Sequence, residues 1–262
     1  MTACFLPWRG ELGLMLLSWV RYVNSHPADN KIVCATRGSE ALYPTATSFF
    51  YKWDEVQDQD KNGKLLRSIQ NSDYLDSIKS YLIQYFPTAE FIYPDRHREN
   101  KREWNFKPEP RVKRGLTADI VLGPRFRLHG AGRNFEHWHD LTRTFTSWGL
   151  SVGLIGAADT SLDIHEDAIR SWDYDFMDAG LELLCNAKLA VMSCSGTAHL
   201  AVLCGTPLKV IYDEPGRAVD GNGPWYMEAM QKFATAHCEP IIHAWNDPEK
   251  IYQAVRQYLE IK

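Results

Sequence analysis

The sequence contains no long apolar run, no C-x-x-C pair, no P-loop, no zinc-finger spacing and no nucleophile elbow. Its most apolar early stretch, Leu12 to Val20, is nine residues long and includes Ser18, whereas a membrane-spanning helix needs about 20 apolar residues. Arg9 and Glu11 interrupt the start before the apolar core of a signal peptide develops. The six cysteines are widely scattered in a chain too long to need disulfide staples, so they read as reduced, mostly buried thiols. The absences together point to a soluble protein of the cytoplasm with no membrane span. No internal repeat or low-complexity tract is present.

The composition is that of a globular protein. The 262 residues are 45% apolar and 24% charged, which sets aside collagen-like, coiled-coil and wholly disordered chains and allows one or two domains. The formal net charge of −4 hides an asymmetry: residues 1–118 carry +3 and residues 119–262 carry −7. The positive sign of the first part comes from residues 96–114 alone, which hold eight Lys/Arg against three Glu.

Apolar patterning alternates between strand and helix along the whole chain. In the first part the expected strands are Cys4 to Pro7, Lys31 to Thr36, Phe49 to Tyr51 and Glu90 to Tyr93. A helix carrying Leu14, Leu17, Val20 and Val23 follows the first strand. Another, over Asp73 to Phe86, follows an Asn71-Ser72 cap. In the second part the expected strands are Ala118 to Leu122, Ser151 to Ile155, Lys188 to Met192, Pro207 to Tyr212 and Pro240 to His243. Helices are expected over Phe135 to Trp148, Asp178 to Asn186, Thr197 to Leu203 and Asp247 to Leu259. Such alternation implies parallel sheets covered on both faces. The expected fold class is α/β, with two domains and the cleft between them as the default site. We place an acceptor-side domain at 1–95, a basic linker at 96–117, a second α/β domain at 118–245, and a closing helix at 246–262 that packs back toward the N-terminal domain.

Two segments carry chemistry. The first is KLAVMSCSGTAHLAVLCGTPLKVIYDEPG, residues 188–216. A buried strand gives way to a turn of small residues and then a helix, so free backbone N–H groups gather where the helix dipole favours an anion such as phosphate. Ser195 and Thr197 add hydroxyls, Gly196 allows close approach, and His199 would face the same ligand. The same residues equally suit an ordinary strand–helix turn capped by Ser195, with His199 on the surface. The second segment is GPRFRLHGAGRNFEHW, residues 123–138, a strand end followed by Arg125, Arg127 and Arg133 among glycines. Guanidinium pairs bidentately with phosphate oxygens, and a strand's carboxyl end beside a helix start is where diphosphates bind. The third glycine and the downstream acid of a dinucleotide-dehydrogenase fingerprint are missing. His137 and His139 alternate within a helix and do not form the i, i+4 pair of a zinc site, so no metal is expected. Trp225-Tyr226, read as part of a loop after Gly221-Asn222-Gly223-Pro224, is the best sugar-stacking candidate.

The order strand, Gly/Arg loop, helix, strand ending L-I-G, then S-G-T-A-H-L-A and G-T-P resembles the donor-binding domain of heptosyltransferase-like enzymes, glycosyltransferase family 9. The match covers residues 118–216. The resemblance implies a GT-B fold of two Rossmann-like domains facing a cleft, here with a compact N-terminal domain. It also implies an inverting, metal-independent transfer from a nucleotide-sugar donor, with no separate cofactor. It would place the donor diphosphate on Ser195, Gly196 and Thr197 with His199 beside them, let Arg133 neutralise it, and put the nucleoside near Ala157, Asp159 or Thr160. In the first part the glycine-containing turn Gly10-Glu11-Leu12-Gly13 looks like the family's first loop, which makes Glu11 the candidate general base; a solvated turn acid is the other reading of Glu11. The chain departs from the family in having Cys194 where Asp usually precedes the Ser-Gly pair.

On the acceptor side stand Arg37, Arg98, Arg102 and Trp104. Cations interleaved with Trp104 and Phe106 suit a polyanionic acceptor, either nucleic acid or a phosphorylated glycan. A compact, basic-rimmed form fits a phage-type enzyme that glycosylates modified DNA bases, which would place it in the host cytoplasm. Two other classes remain open: a non-catalytic sugar-nucleotide-binding module, favoured by Cys194, and a sugar-nucleotide epimerase of the same fold.

Overall fold

The computed structural model describes residues 1–8, 12–51, 72–94, 107–126, 134–157, 161–162, 164, 167–174, 176–212 and 223–261. The chain divides into two compact units, residues 1–108 and 109–262.

The first unit is a four-stranded parallel sheet in the order β3-β2-β1-β4, from β1 (Thr2–Phe5), β2 (Asn30–Cys34), β3 (Ser48–Phe50) and β4 (Glu90–Ile92). Alternation along β1 separates its two faces. Cys4 and Leu6 join Ile32 and Cys34 against Leu75, Ile78 and Leu82 of α3 (Ser72–Leu82). Phe5, on the other face, meets Trp19 and Tyr22 edge-on at 5.9 and 6.3 Å. Those two rings come from the helical segment after β1, in which α1 (Leu12–Leu14) passes through a π-helical stretch (Met15–Val20) into α2 (Arg21–Ser25). The buried amine of Lys31 donates to the Asn24 carbonyl at 2.9 Å and the Thr45 hydroxyl at 3.0 Å, tying the loop before β3 to the end of α2. A buried cation with two acceptors in place satisfies the condition for burying it.

The second unit is a six-stranded parallel sheet in the order β10-β9-β8-β5-β6-β7. Its strands are β5 (Ile120–Gly123), β6 (Val152–Leu154), β7 (Ile169–Arg170), β8 (Leu189–Ser193), β9 (Leu208–Ile211) and β10 (Cys238–Ile241). On one face Ile120, Leu122, Leu189 and Val191 pack with Trp138, Leu141 and Phe145 of α4 (Trp138–Ser147) and with Ile251 and Val255 of α8 (Pro248–Leu259). The other face receives α5 (Phe176–Asn186), whose Leu183 lies 3.2 Å from where a Gly153 Cβ would sit. The apolar side of α8 is thus taken up by the core of its own unit, where the sequence reading turns this helix back toward the N-terminal domain.

Residues 109–117, expected as linker, belong to the second unit and are fastened to α5. The N–H groups of Arg111 and Val112 donate to Asp178 at 2.9 and 3.2 Å. Those of Arg114 and Gly115 donate to Glu182 at 2.9 and 2.8 Å, and the Asn186 amide donates to the Leu116 carbonyl at 3.0 Å. Asp178 and Glu182 are only 7% and 4% exposed. Their i, i+4 spacing sets both carboxylates on one side of α5, each answered by consecutive backbone donors.

Two further details differ from the sequence reading. β7 was not expected, since two residues carry no periodicity. Trp225 and Tyr226 lie within a helix, α7 (Gly223–Phe233), and not in a loop: a proline in the first helical turn is favourable, so Gly223-Pro224 opens a helix here instead of marking a loop.

Candidate active site

The strand order of the second unit fixes where its ligand-binding end lies. Chain order runs outward from β5 through β6 to β7 and, on the other side, from β8 through β9 to β10. The direction of winding therefore reverses between β5 and β8, and ligands of open parallel sheets bind beyond the carboxyl ends of the strands at that reversal. The two segments singled out in the sequence leave these two neighbouring strands.

They meet closely. A Cβ on Gly123, at the end of β5, would lie 2.8 Å from Thr197 Oγ1 and 3.3 Å from Met192 Cγ. A side chain at 123 would have to displace the Thr197 hydroxyl at the start of α6 (Gly196–Cys204) and crowd Met192. Ser195 occupies the N-cap with extended backbone but does not cap α6 with its side chain; its hydroxyl lies 2.8 Å from that of Thr197. The first intrahelical bonds run from the N–H groups of Ala198 and His199 to the Ser195 carbonyl, at 3.1 and 3.3 Å. The N–H groups of Gly196 and Thr197 come before that point and have no carbonyl of their own helix to bond. Two hydroxyls and two amides thus gather at the positive end of a nine-residue helix.

His199 is placed differently from either sequence reading. It is 2% exposed, and its Nδ1 lies 2.8 Å from the Ser195 carbonyl oxygen. Burial pushes its pKa down to about 4, so the ring is neutral and braces the turn from within. Ser193, the last residue of β8, is also buried, and its hydroxyl has no partner among the described residues.

The loops after β5 and β6 are joined as well. Arg125 and Ser161 form an isolated antiparallel bridge, and the Leu162 N–H donates to the Pro124 carbonyl at 2.8 Å. A Cβ on Gly156 would overlap the Ser161 hydroxyl. The end of β6, where the resemblance sets the nucleoside, is in this way held beside the Gly/Arg loop.

In the first unit the reversal falls between β1 and β4, so its first loop leaves the corresponding place. Glu11 of that loop lies outside the described residues, as do Arg98, Arg102, Trp104, Arg127, Arg133, Asp159 and Thr160. Arg37 is described, just past β2. Its guanidinium lies 4.8 Å from the ring centre of Tyr51, and the Tyr51 hydroxyl donates to Glu40 Oε1 at 2.5 Å. Cation–π contact and hydrogen bond together hold Arg37 in place at the carboxyl end of the first sheet. Sequence reading missed Tyr51 and Glu40 as its supports, which nothing in their spacing reveals.

Among the described residues no group of three or more His, Cys, Asp or Glu is arranged to hold a metal ion, and no helix is long and apolar enough to cross a membrane.

This is a doubly wound α/β fold whose second sheet carries a turn of small residues and a helix start at its reversal point. Scanning finds no protein-family model and no curated protein that matches the chain. Solved structures do match. The E. coli ADP-heptose lps heptosyltransferase II superposes with a TM-score of 0.60 at 15% identity, over 99% of each chain. The glycosyl transferase family 9 protein of Veillonella parvula DSM 2008 gives 0.55 at 9% identity, over 98% of this chain and 89% of that one. E. coli heptosyltransferase WaaC with ADP gives 0.50 at 11% identity, over 99% of both. At these identities the likeness establishes the fold, and the resemblance read from residues 118–216 agrees with it.

Proposed function

We propose that the protein is an inverting glycosyltransferase that moves a sugar from a nucleotide-sugar donor to an acceptor hydroxyl. The observation that carries this reading is the start of α6 at the reversal of the second sheet, close against Gly123, where the N–H groups of Gly196 and Thr197 have no carbonyl of their own helix to bond and can receive a diphosphate. Relatives in fold include one whose structure holds ADP. In this reading Ser195, Gly196 and Thr197 hold the donor diphosphate, Arg133 neutralises it, and the nucleoside rests against Ala157, Asp159 or Thr160. Glu11 takes the proton from the acceptor hydroxyl as that oxygen attacks the anomeric carbon. The bond to the diphosphate oxygen breaks with inversion, and the leaving charge is received by amides already oriented toward it. No metal is assigned a role. Cys194 brings no carboxylate to this turn, so recognition of the donor falls to the amides and Arg133.

Arg37, Arg98, Arg102 and Trp104 face the acceptor in this reading, which is a phosphorylated glycan or, in a phage-type enzyme, a modified base of DNA. Binding of duplex DNA that weakens with salt and with neutralisation of the cations of 96–114 would select DNA. A panel of nucleoside diphosphates and nucleotide sugars in thermal-shift assays tests the donor site, since a ligand at 100 times its Kd stabilises by about 2.7 kcal/mol. Release of nucleoside diphosphate that is unchanged in both Glu11→Ala and Arg133→Ala would overturn the assigned roles. Donor binding without transfer to any acceptor would instead favour a non-catalytic module, and a changed sugar without an acceptor an epimerase.

A further inference from the structure

The first unit has a groove at the opposite end of its sheet from the loops that follow β1 and β2. The amino ends of β1, β2 and β3 and the turn between α3 and β4 enclose about 270 Å³, with Thr2, Asn30, Thr47, Ser48, Tyr85 and Thr88 supplying the polar lining. None of the lining residues is charged, in a chain of which 24% is. Thr47 is committed to the backbone of Lys31, accepting from its N–H at 3.0 Å and donating to its carbonyl at 2.9 Å. The side chains of Asn30, Ser48 and Thr88 are exposed and make no hydrogen bond among the described residues.

A row of aromatic rings leads into this groove. Phe50, Tyr81, Tyr85 and Phe86 follow one another with ring centres 5.9, 5.3 and 6.5 Å apart. The hydroxyls of Tyr81 and Tyr85 lie 3.0 Å apart, which fixes the two rings relative to each other. Tyr85 is 58% exposed. Phe50 and Phe86 pack against the core of the unit, so the row is anchored at both ends, and Tyr85 stands out from it beside the groove.

The chemistry of the lining narrows the ligand. A sugar ring offers a C–H face that packs on aromatic or aliphatic surface and a rim of hydroxyls that pair with neutral amides and hydroxyls. A nucleic acid would bring phosphates, whose binding depends on cations, and the groove has none. We propose that the groove and the aromatic row bind a neutral stretch of an oligosaccharide chain. Within the glycosyltransferase reading, on which this step rests, the acceptor is then a glycan, held by its outer sugars at a distance from the loops that would carry the reaction.

The test is binding of the full chain to a surface carrying neutral hexose oligosaccharides (maltohexaose, cellohexaose, chitohexaose) alongside heparin and duplex DNA. Retention of a neutral oligosaccharide is expected, indifferent to 0.5 M salt and weakened tenfold or more in Tyr85→Ala and in the Asn30→Ala/Ser48→Ala pair. Thr88→Lys, which places a charge in the groove without removing a ring, should weaken it as well, and it serves if Tyr85→Ala disturbs the turn before β4. The proposal falls if no neutral oligosaccharide is retained, if these substitutions leave retention unchanged, or if only heparin or DNA is held and is released by salt. The nucleotide thermal shift is read on the same samples. A lost donor effect with intact glycan binding rejects the donor assignment alone, and the converse rejects this groove alone.

Discussion

The second unit gathers backbone amides and small hydroxyls at its reversal point, with Gly123 at the end of β5 close against Thr197 at the start of α6. The first unit, wound the same way, presents past β2, one strand away from its own reversal, a long charged side chain, Arg37, supported by Tyr51 and Glu40. Amides fixed at a helix start cannot titrate or swing away, and they suit a group that every donor shares, the diphosphate. A stacked arginine suits a partner that differs from one enzyme to the next, because one substitution changes it.

The largest expected effect breaks the comparison on the second unit's side. Replacing both Asp178 and Glu182 by Ala removes acceptors from four backbone N–H groups and should lower the stability of that unit by about 3–5 kcal/mol. Calorimetry should show its transition falling while that of the first unit stays; a loss below about 1 kcal/mol would mean the carboxylates do not hold the segment. Next comes pH. His199 is neutral when folded, with its pKa down to about 4 from 6.5, so the unfolded chain binds the extra proton between those values. Stability is full above about pH 6.5 and declines by about 3 kcal/mol as pH falls to 4. His199→Gln should flatten Tm across that window, and an unchanged slope would acquit the histidine. Gly123→Val then asks whether the close approach matters: overpacking should cost about 1–3 kcal/mol and weaken ADP or the preferred nucleotide tenfold or more. Nucleotide binding equal to that of the parent would remove the turn from the donor site. The smallest effect sharpens the other side. Arg37→Ala should raise the acceptor KM several-fold and leave the donor Kd alone, and a change in donor Kd would show that the division of labour is drawn wrongly.

Most of the fold is legible in the sequence because buried parallel strands leave unbroken apolar runs, such as KLAVM and PLKVI, between amphipathic helices. The turn at Ser195 is legible for the same reason: small residues between such a strand and a helix have few other uses. What stays hidden is whatever depends on distant partners. Gly123 reads as one glycine among several in its loop until α6 is placed against it. The π-helical stretch over Met15–Val20 leaves a helical pattern that reads as ordinary. The inward turn of His199 depends on packing that its local sequence does not reveal. Asp178 and Glu182 did leave a trace, as two acids four apart in the otherwise apolar FMDAGLELL; their partners, 66 to 68 residues earlier, did not.

Those two carboxylates also decide where the chain can be cut or recombined. A fragment that starts at Ala118, where the first strand of the second sheet is about to begin, would leave Asp178 and Glu182 buried without donors. One that starts at Glu109 keeps the hydrogen bonds of Arg111, Val112, Arg114, Gly115 and Leu116 to α5. The heritable module is thus longer than its secondary structure suggests: an exchange that gave the second unit a new first unit would have to splice before Glu109, and the stretch from Arg111 to Leu116 would travel with the unit it is bonded to.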